Sequence, residues 1–194
     1  MPPPLFPELI YGNGLLLRRW RESDAELFAR VVAESVEHLR PWIEWIAEEP
    51  RSVEQRRTIL AGQQREWAAG GGVHFAILVD GAVAGACGLK RRDCPDVVEI
   101  GYWTHPLFLR RGVATRAVGL LTDAALAMPD IEHVEIHHDK ANIASAGVPR
   151  RLGFTFVGEA RREPQAPSDS GIECGWRASR ATWRDPVRRM KGGQ

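Results

Sequence analysis

The chain has 194 residues, 44% of them hydrophobic and 26% charged, with a formal net charge of +1. This length suits one domain with a full core, or a domain with a short appendage, and the composition is that of a soluble globular protein. The near-neutral balance, with no dominant basic stripe, speaks against a dedicated nucleic-acid binder. Three cysteines, Cys87, Cys94 and Cys174, form neither an even framework nor a Cys-x-x-Cys pair. A reducing, cytoplasmic setting without structural zinc is therefore expected. The opening Met1-Pro2-Pro3-Pro4-Leu5-Phe6-Pro7 lacks the features of a signal peptide, and no run approaches the ~18 apolar residues of a membrane span.

Residues 15–20 (Leu-Leu-Leu-Arg-Arg-Trp) read as a first strand. Ser23 with Glu26 suggests a capping box, and Leu27, Phe28, Val31, Val32, Val36 and Leu39 continue at helical spacing until Pro41. The aromatic segment 42–46 follows. Its Trp42 and Trp45, like Trp67, suit either core or a pocket wall. Ser52 with Gln55 marks a second capped helix, ending at Gly70-Gly71-Gly72. Residues 73–79 and 82–89 around Asp80-Gly81 form the strongest hairpin signal in the chain. A strand over 97–103 leads to a helix over 113–127, then a strand over 133–138. A short helix over 142–152 is closed by Gly153, and strands follow over 154–160 and 172–183. The loop 163–171 between them is rich in Pro, Ser, Asp and Gly and should be exposed. Arg184, Arg188, Arg189 and Lys191 read as a solvated tail. The order predicts an α/β fold, a mixed central sheet flanked by helices, in a single domain with its core over about 13–183.

The most informative stretch is Arg111-Gly112-Val113-Ala114-Thr115-Arg116-Ala117, preceded by Arg110. A strand, a loop with two arginines and a glycine, and a helix start together make a site for an anion. The first backbone N–H groups of a helix have no internal acceptor, and the helix dipole favours negative charge there. Gly112 lets the backbone approach a ligand, and Arg110 and Arg111 add charge suited to phosphate. Asn142 and Ser145 open the helix after the 133–138 strand, where they serve as caps or as polar contacts. Two helix starts side by side at neighbouring strand ends would fit a long ligand with a phosphate end and a polar chain.

These residues carry a resemblance. The run 99–106 (Glu-Ile-Gly-Tyr-Trp-Thr-His-Pro), Arg110-Arg111-Gly112-Val113-Ala114-Thr115, Asn142-x-x-Ser145 and Leu152-Gly153-Phe154 resembles the GNAT acyltransferase superfamily. Together with His38-Leu39-Arg40-Pro41-Trp42, it is most similar to the ribosomal-protein N-terminal acetyltransferase (RimJ/RimL-like) branch. Leu109 departs from the family pattern, which has Arg or Gln at the head of the phosphate loop. The resemblance implies a GNAT-like acyl-CoA N-acyltransferase fold and transfer of an acetyl group from acetyl-CoA to a primary amine, on a protein N-terminus or a small molecule. It implies that the pantetheine arm enters where the 97–103 and 133–138 strands part, near Trp103 and Ile136. A backbone N–H near Trp103 or Thr104 would then polarise the thioester carbonyl, and Ser145 would reach the leaving sulfur. Arg110 to Thr115, with Asn142, would hold the cofactor.

The general base stays open among Glu99, Glu135, His137 and Glu163, with Glu99 or His137 acting through water preferred. Glu135 and His137 share one face of their strand. Trp42, Trp45 and Glu163 are the expected acceptor-site residues. His133, His137, His138 and Asp139 lie on a strand, where His137 and His138 point to opposite faces, so no metal is expected. Neither nucleic acid nor membrane is an expected partner, and the chain should be a monomer or homodimer. The alternative is a catalytically silent CoA-binding or sensor module.

Overall fold

The computed structural model describes residues 5–183. The basic residues Arg184, Arg188, Arg189 and Lys191 lie outside them. The described residues form β1 (Leu9–Gly12), β2 (Leu15–Arg19), α1 (Ala25–Ala33), α2 (Val36–Leu39) and α3 (Val53–Ala68). Next come β3 (Val73–Val79), β4 (Ala82–Arg91), β5 (Val97–Thr104), α4 (Val113–Ala127) and β6 (His133–Asp139). The chain continues through α5 (Ile143–Leu152), β7 (Thr155–Arg161) and β8 (Ile172–Ser179). One eight-stranded sheet has the order β1-β2-β3-β4-β5-β6-β8-β7. Its neighbours are antiparallel except β5 and β6, which α4 connects as a parallel pair.

Strand alternation sends successive side chains to opposite faces. Val98 and Ile100 of β5 and Val134 and Ile136 of β6 join Ala117, Val118 and Leu121 of α4 and Val148 and Leu152 of α5 in the larger core. On the other face, Ala76 and Val83 pack with Phe28, Val31 and Val32 of α1 and Leu60 of α3, and Trp103 leans on that cluster. Each fully buried Leu, Ile or Phe contributes about 1.5–3 kcal/mol relative to exposure. Both layers therefore pin the register of β5 and β6, and with it the faces of Tyr102, Trp103 and His137.

Four elements depart from the sequence reading. β1 precedes the first predicted strand and pairs with β2 through the Asn13-Gly14 turn. The first predicted helix breaks between α1 and α2 at Ser35. That hydroxyl is buried and donates to the Val31 carbonyl at 2.7 Å, and its N–H turns to Val32. Ser23 is not the cap at the head of α1: Asp24 holds that position, with its Oδ2 accepting from the preceding Arg21 N–H at 2.9 Å and no side-chain bond into the helix. β8 ends at Ser179, whose carbonyl accepts from the Trp183 N–H at 2.8 Å and turns the chain away. The capping box of α3 forms as its sequence predicts, with Ser52 and Gln55 exchanging bonds. No helix among the described residues is long and apolar enough to cross a membrane.

Candidate active site

The parallel pairing of β5 with β6 stops at Glu99↔Glu135, although β5 runs on to Thr104 and β6 to Asp139. A gap therefore opens between the two strands one residue later. On β5 it begins nearer the strand start than Trp103, where it was expected. The His105 N–H donates to Ala84 O at 2.9 Å, so odd-numbered backbone groups of β5 turn toward β4 and even-numbered ones toward the gap. The backbone groups of Tyr102 and Thr104 thus face the gap. Those of Trp103 turn toward β4 instead. Gly85 on β4 permits this arrangement: a Cβ there would lie 2.2 Å from the Trp103 carbonyl oxygen.

Two helices begin beside the gap. At the head of α4, Gly112 has φ +68° and Arg110 has φ +60°, both left-handed, which turns the chain sharply into the helix. No side chain caps α4, so the N–H groups of Val113, Ala114 and Thr115 lack an acceptor until Arg116 N–H bonds Gly112 O at 3.0 Å. A Cβ on Gly112 would meet nothing within 4 Å, so the cradle is open. Arg110 and Arg111 are exposed at its rim, Arg111 lying 5.4 Å over the Phe108 ring. Arg116 reaches back to Asn13 O at 2.7 Å and ties the β1–β2 turn to the helix. A fan of free N–H groups flanked by guanidinium groups is chemically fitted to a phosphate or pyrophosphate.

At the head of α5 the arrangement differs. Asn142 caps the helix, its Oδ1 accepting from the Ser145 N–H at 3.1 Å. Ser145 Oγ lies 3.0 Å from the Tyr102 hydroxyl, which is also 3.0 Å from the Ser145 carbonyl oxygen. Burial pushes the Tyr102 phenol up to about 12, with the Ser145 hydrogen bond working weakly against it. Sequence reasoning missed Tyr102. The only signal was its place in the alternation, and its partner lies forty-three positions away.

On the face of the sheet opposite α4, the part made by β5, β6 and β8 is ionic. Glu99 sits at the point where the strands part, with Oε2 2.8 Å from Arg92. His137 lies between carboxylates, Nε2 3.0 Å from Glu135 and Nδ1 3.2 Å from Glu173. Glu135 also accepts from Arg177 at 2.9 Å. Burial pushes the Glu135 carboxyl up, but the bonds from His137 and Arg177 outweigh it and hold it below its ordinary value. At the end of β6, buried Asp139 accepts from the Ala141 N–H at 2.8 Å and from the N–H and hydroxyl of Ser170 at 3.0 and 2.8 Å. One carboxylate thereby ties the approach to α5 to the loop 163–171. His138 lies on the other face and accepts from Trp176 Nε1 at 2.9 Å, so His137 and His138 do not converge.

The loop 163–171 meets the aromatic segment, the Ser168 N–H donating to Pro41 O at 2.9 Å. Trp42 and Trp45 are half-buried, and Trp45 packs on the second core. Arg56, 1% exposed, pairs with Glu49 and lies 4.9 Å over Phe28 and 5.9 Å over Trp45, anchoring the segment. Trp67 belongs to the other core, its Nε1 bonded to Phe6 O at 2.8 Å. Glu163 is exposed.

Residues 14–155 match the acetyltransferase (GNAT) domain family. "Putative ribosomal N-acetyltransferase YdaF" of Bacillus subtilis (strain 168) is 31% identical over 149 residues, covering 76% of this chain and 81% of its own. Among solved structures, RimL, a ribosomal L7/L12 alpha-N-protein acetyltransferase in complex with coenzyme A, matches with a TM-score of 0.82. Its identity is 22%, over 89% of this chain and 98% of its own. Mycobacterium smegmatis RimJ in complex with CoA-disulfide matches at 0.81 and 21% identity, over 98% of this chain and 94% of its own. The parted parallel strands and the open helix start thus stand on a fold these enzymes share, and the match to the family and to YdaF spans most of the sequence. The chain belongs to the GNAT acetyltransferases and is an N-acetyltransferase.

Proposed function

We propose that the enzyme transfers an acetyl group from acetyl-CoA directly to a primary amine, on a protein N-terminus or a small molecule, within one domain acting in the cytoplasm. The carrying observation is the uncapped start of α4 opening on the gap between β5 and β6. The pyrophosphate rests on the N–H groups of Val113, Ala114 and Thr115, with Arg110 and Arg111 at the rim. Leu109, half-exposed, supplies no charge there, and the backbone carries the load. The pantetheine arm lies along the gap, where the backbone of Tyr102 and Thr104 is available as in an added strand. The coenzyme A held by RimL and RimJ supports the same donor here.

The Thr104 N–H polarises the thioester carbonyl as charge grows on its oxygen. Ser145 gives a proton to the leaving sulfur, and Asn142 fixes the helix start that carries it. For the base, the geometry favours Glu99 over His137. Both ring nitrogens of His137 are engaged by carboxylates, whereas Arg92 engages only Oε2 of Glu99. Glu99 then takes the amine proton through a water at the parting of the strands. Trp42, Trp45 and the loop 163–171 close over the acceptor, and Glu163 attracts the cationic amine before it loses its proton.

A panel of small amines and N-terminal peptides, with free thiol detected, tests this reading. Thiol release should require both acetyl-CoA and an amine, and should climb with pH to a plateau, because only the neutral amine attacks. Absence of turnover across the panel overturns it. Equal rates for Glu99→Gln and wild type in the chemical step overturn the assignment of the base.

A further inference from the structure

The Tyr102–Ser145 contact crosses the gap: Tyr102 stands on β5, and Ser145 stands on the helix that follows β6. The phenol has one hydrogen, which any phenol keeps at neutral pH and which burial makes still harder to lose. The Ser145 carbonyl can only accept. With the Tyr102 hydrogen on that carbonyl, the phenol oxygen accepts from Ser145 Oγ, whose hydrogen is then held toward β5. With the Tyr102 hydrogen on Oγ, the serine hydrogen is free to leave. Both arrangements use the same two 3.0 Å distances, so a small rotation of one O–H bond exchanges them.

We propose that Tyr102 is a positioning residue for the leaving-group step: its hydroxyl holds the Ser145 hydroxyl toward the gap and swings its hydrogen from the Ser145 carbonyl to Oγ as Oγ loses its proton. The inference rests on the proton-donor reading of Ser145. In the step, the carbon–sulfur bond breaks with its electron pair on sulfur, and the Ser145 hydrogen moves to that sulfur. The Tyr102 O–H stabilises the charge left on Oγ, and the proton shed by the amine returns to Oγ through solvent. A phenol suits this role because it is too weak an acid here to lose its hydrogen, yet it donates strongly to a developing anion.

The test compares wild type, Tyr102→Phe, Ser145→Ala and the double variant in single-turnover acetyl transfer, with CoA affinity by calorimetry and the melting temperature of each. Tyr102→Phe keeps the ring in the core and removes only the hydroxyl. It should slow transfer about 10- to 150-fold, the weight of one hydrogen bond to a charged group, with CoA affinity and melting temperature unchanged. The double variant should be no slower than Ser145→Ala. Wild-type speed in Tyr102→Phe beside a slow Ser145→Ala overturns the role of Tyr102 and leaves that of Ser145 standing. Losses that multiply in the double variant, or a parallel loss of CoA affinity in Tyr102→Phe, overturn it as well. Full speed in Ser145→Ala overturns the proton-donor reading and this inference with it.

Discussion

The helix starts of α4 and α5 flank the same gap, and they treat their orphan N–H groups in opposite ways. α5 satisfies its own: Asn142 Oδ1 takes the Ser145 N–H, and the carboxylate of Asp139 takes the Ala141 N–H just before it. α4 has a glycine where a cap would stand, in a left-handed conformation that turns the chain without adding an acceptor. A capped start is rigid and holds a side chain in place. An uncapped start forgoes about 1 kcal/mol of capping and keeps its donors for a ligand. In our reading this divides the labour, with α4 binding the donor and α5 presenting the hydroxyl that meets the leaving sulfur.

The comparison can be broken at the chemistry first. Ser145→Ala should lower turnover by ~10²–10⁴-fold, the range of general acid catalysis, with CoA affinity within about 3-fold of wild type. If stability falls and turnover does not, Ser145 is only a helix residue. Gly112→Asp should give α4 the acceptor that α5 already has, and set a carboxylate against the phosphates. CoA affinity should drop about 100-fold by calorimetry, from lost hydrogen bonds to charge of about 1.5–3 kcal/mol each. Its stability should change little, because a new cap offsets a strained left-handed aspartate. Undiminished affinity would remove α4 as the anion site. Asn142→Ala should cost about 1 kcal/mol in urea unfolding and lower turnover more than CoA affinity, since the loss falls on the helix that carries Ser145.

The smallest effect concerns Asp139 and appears with pH. Burial raises its carboxyl, but the bonds from Ser170 and Ala141 and the nearby Arg162 charge outweigh burial and hold it below its ordinary 3.8. A depressed folded-state value means that the carboxylate adds stability above that ordinary value, and that this is lost as pH falls through the folded-state value. Asp139→Asn should therefore be less stable than wild type at neutral pH, and the difference should close below pH 3.8. Unfolding curves at several pH values decide this. A constant difference would mean that the link between the approach to α5 and the loop 163–171 rests on shape and not on charge.

Much of the frame was legible in the sequence because it rests on local chemistry. The bounds of α4 follow from Gly112 before a run of apolar periodicity, and the capping box of α3 from Ser52 and Gln55 three positions apart. The β3–β4 hairpin follows from Asp80-Gly81, both at positive φ. Local signals failed where a competing bond won. Ser35 turned its hydroxyl back on Val31 and split a helix whose apolar spacing was unbroken. At the head of α1, Asp24 stands where Ser23 was expected, its carboxylate turned back to the Arg21 N–H and not into the helix. β1 escaped because only its pairing with β2 makes four residues after a proline-rich start a strand.

The sequence by itself determined the kind of site this protein has: a glycine-headed helix after two arginines, a second helix opening with Asn142 and Ser145, and Glu135 and His137 two positions apart on one strand. Those properties belong to neighbours in the chain, so composition and period reveal them. The tertiary structure decided where the parallel strands separate, that the backbone of Thr104 and not of Trp103 faces the opening, and that His137 is held by Glu135 and Glu173. It alone brought the Tyr102 hydroxyl to Ser145. The physical reason is that a hydrogen bond of 3 Å is set by strand register and helix docking summed over the whole core, and no local pattern carries that sum.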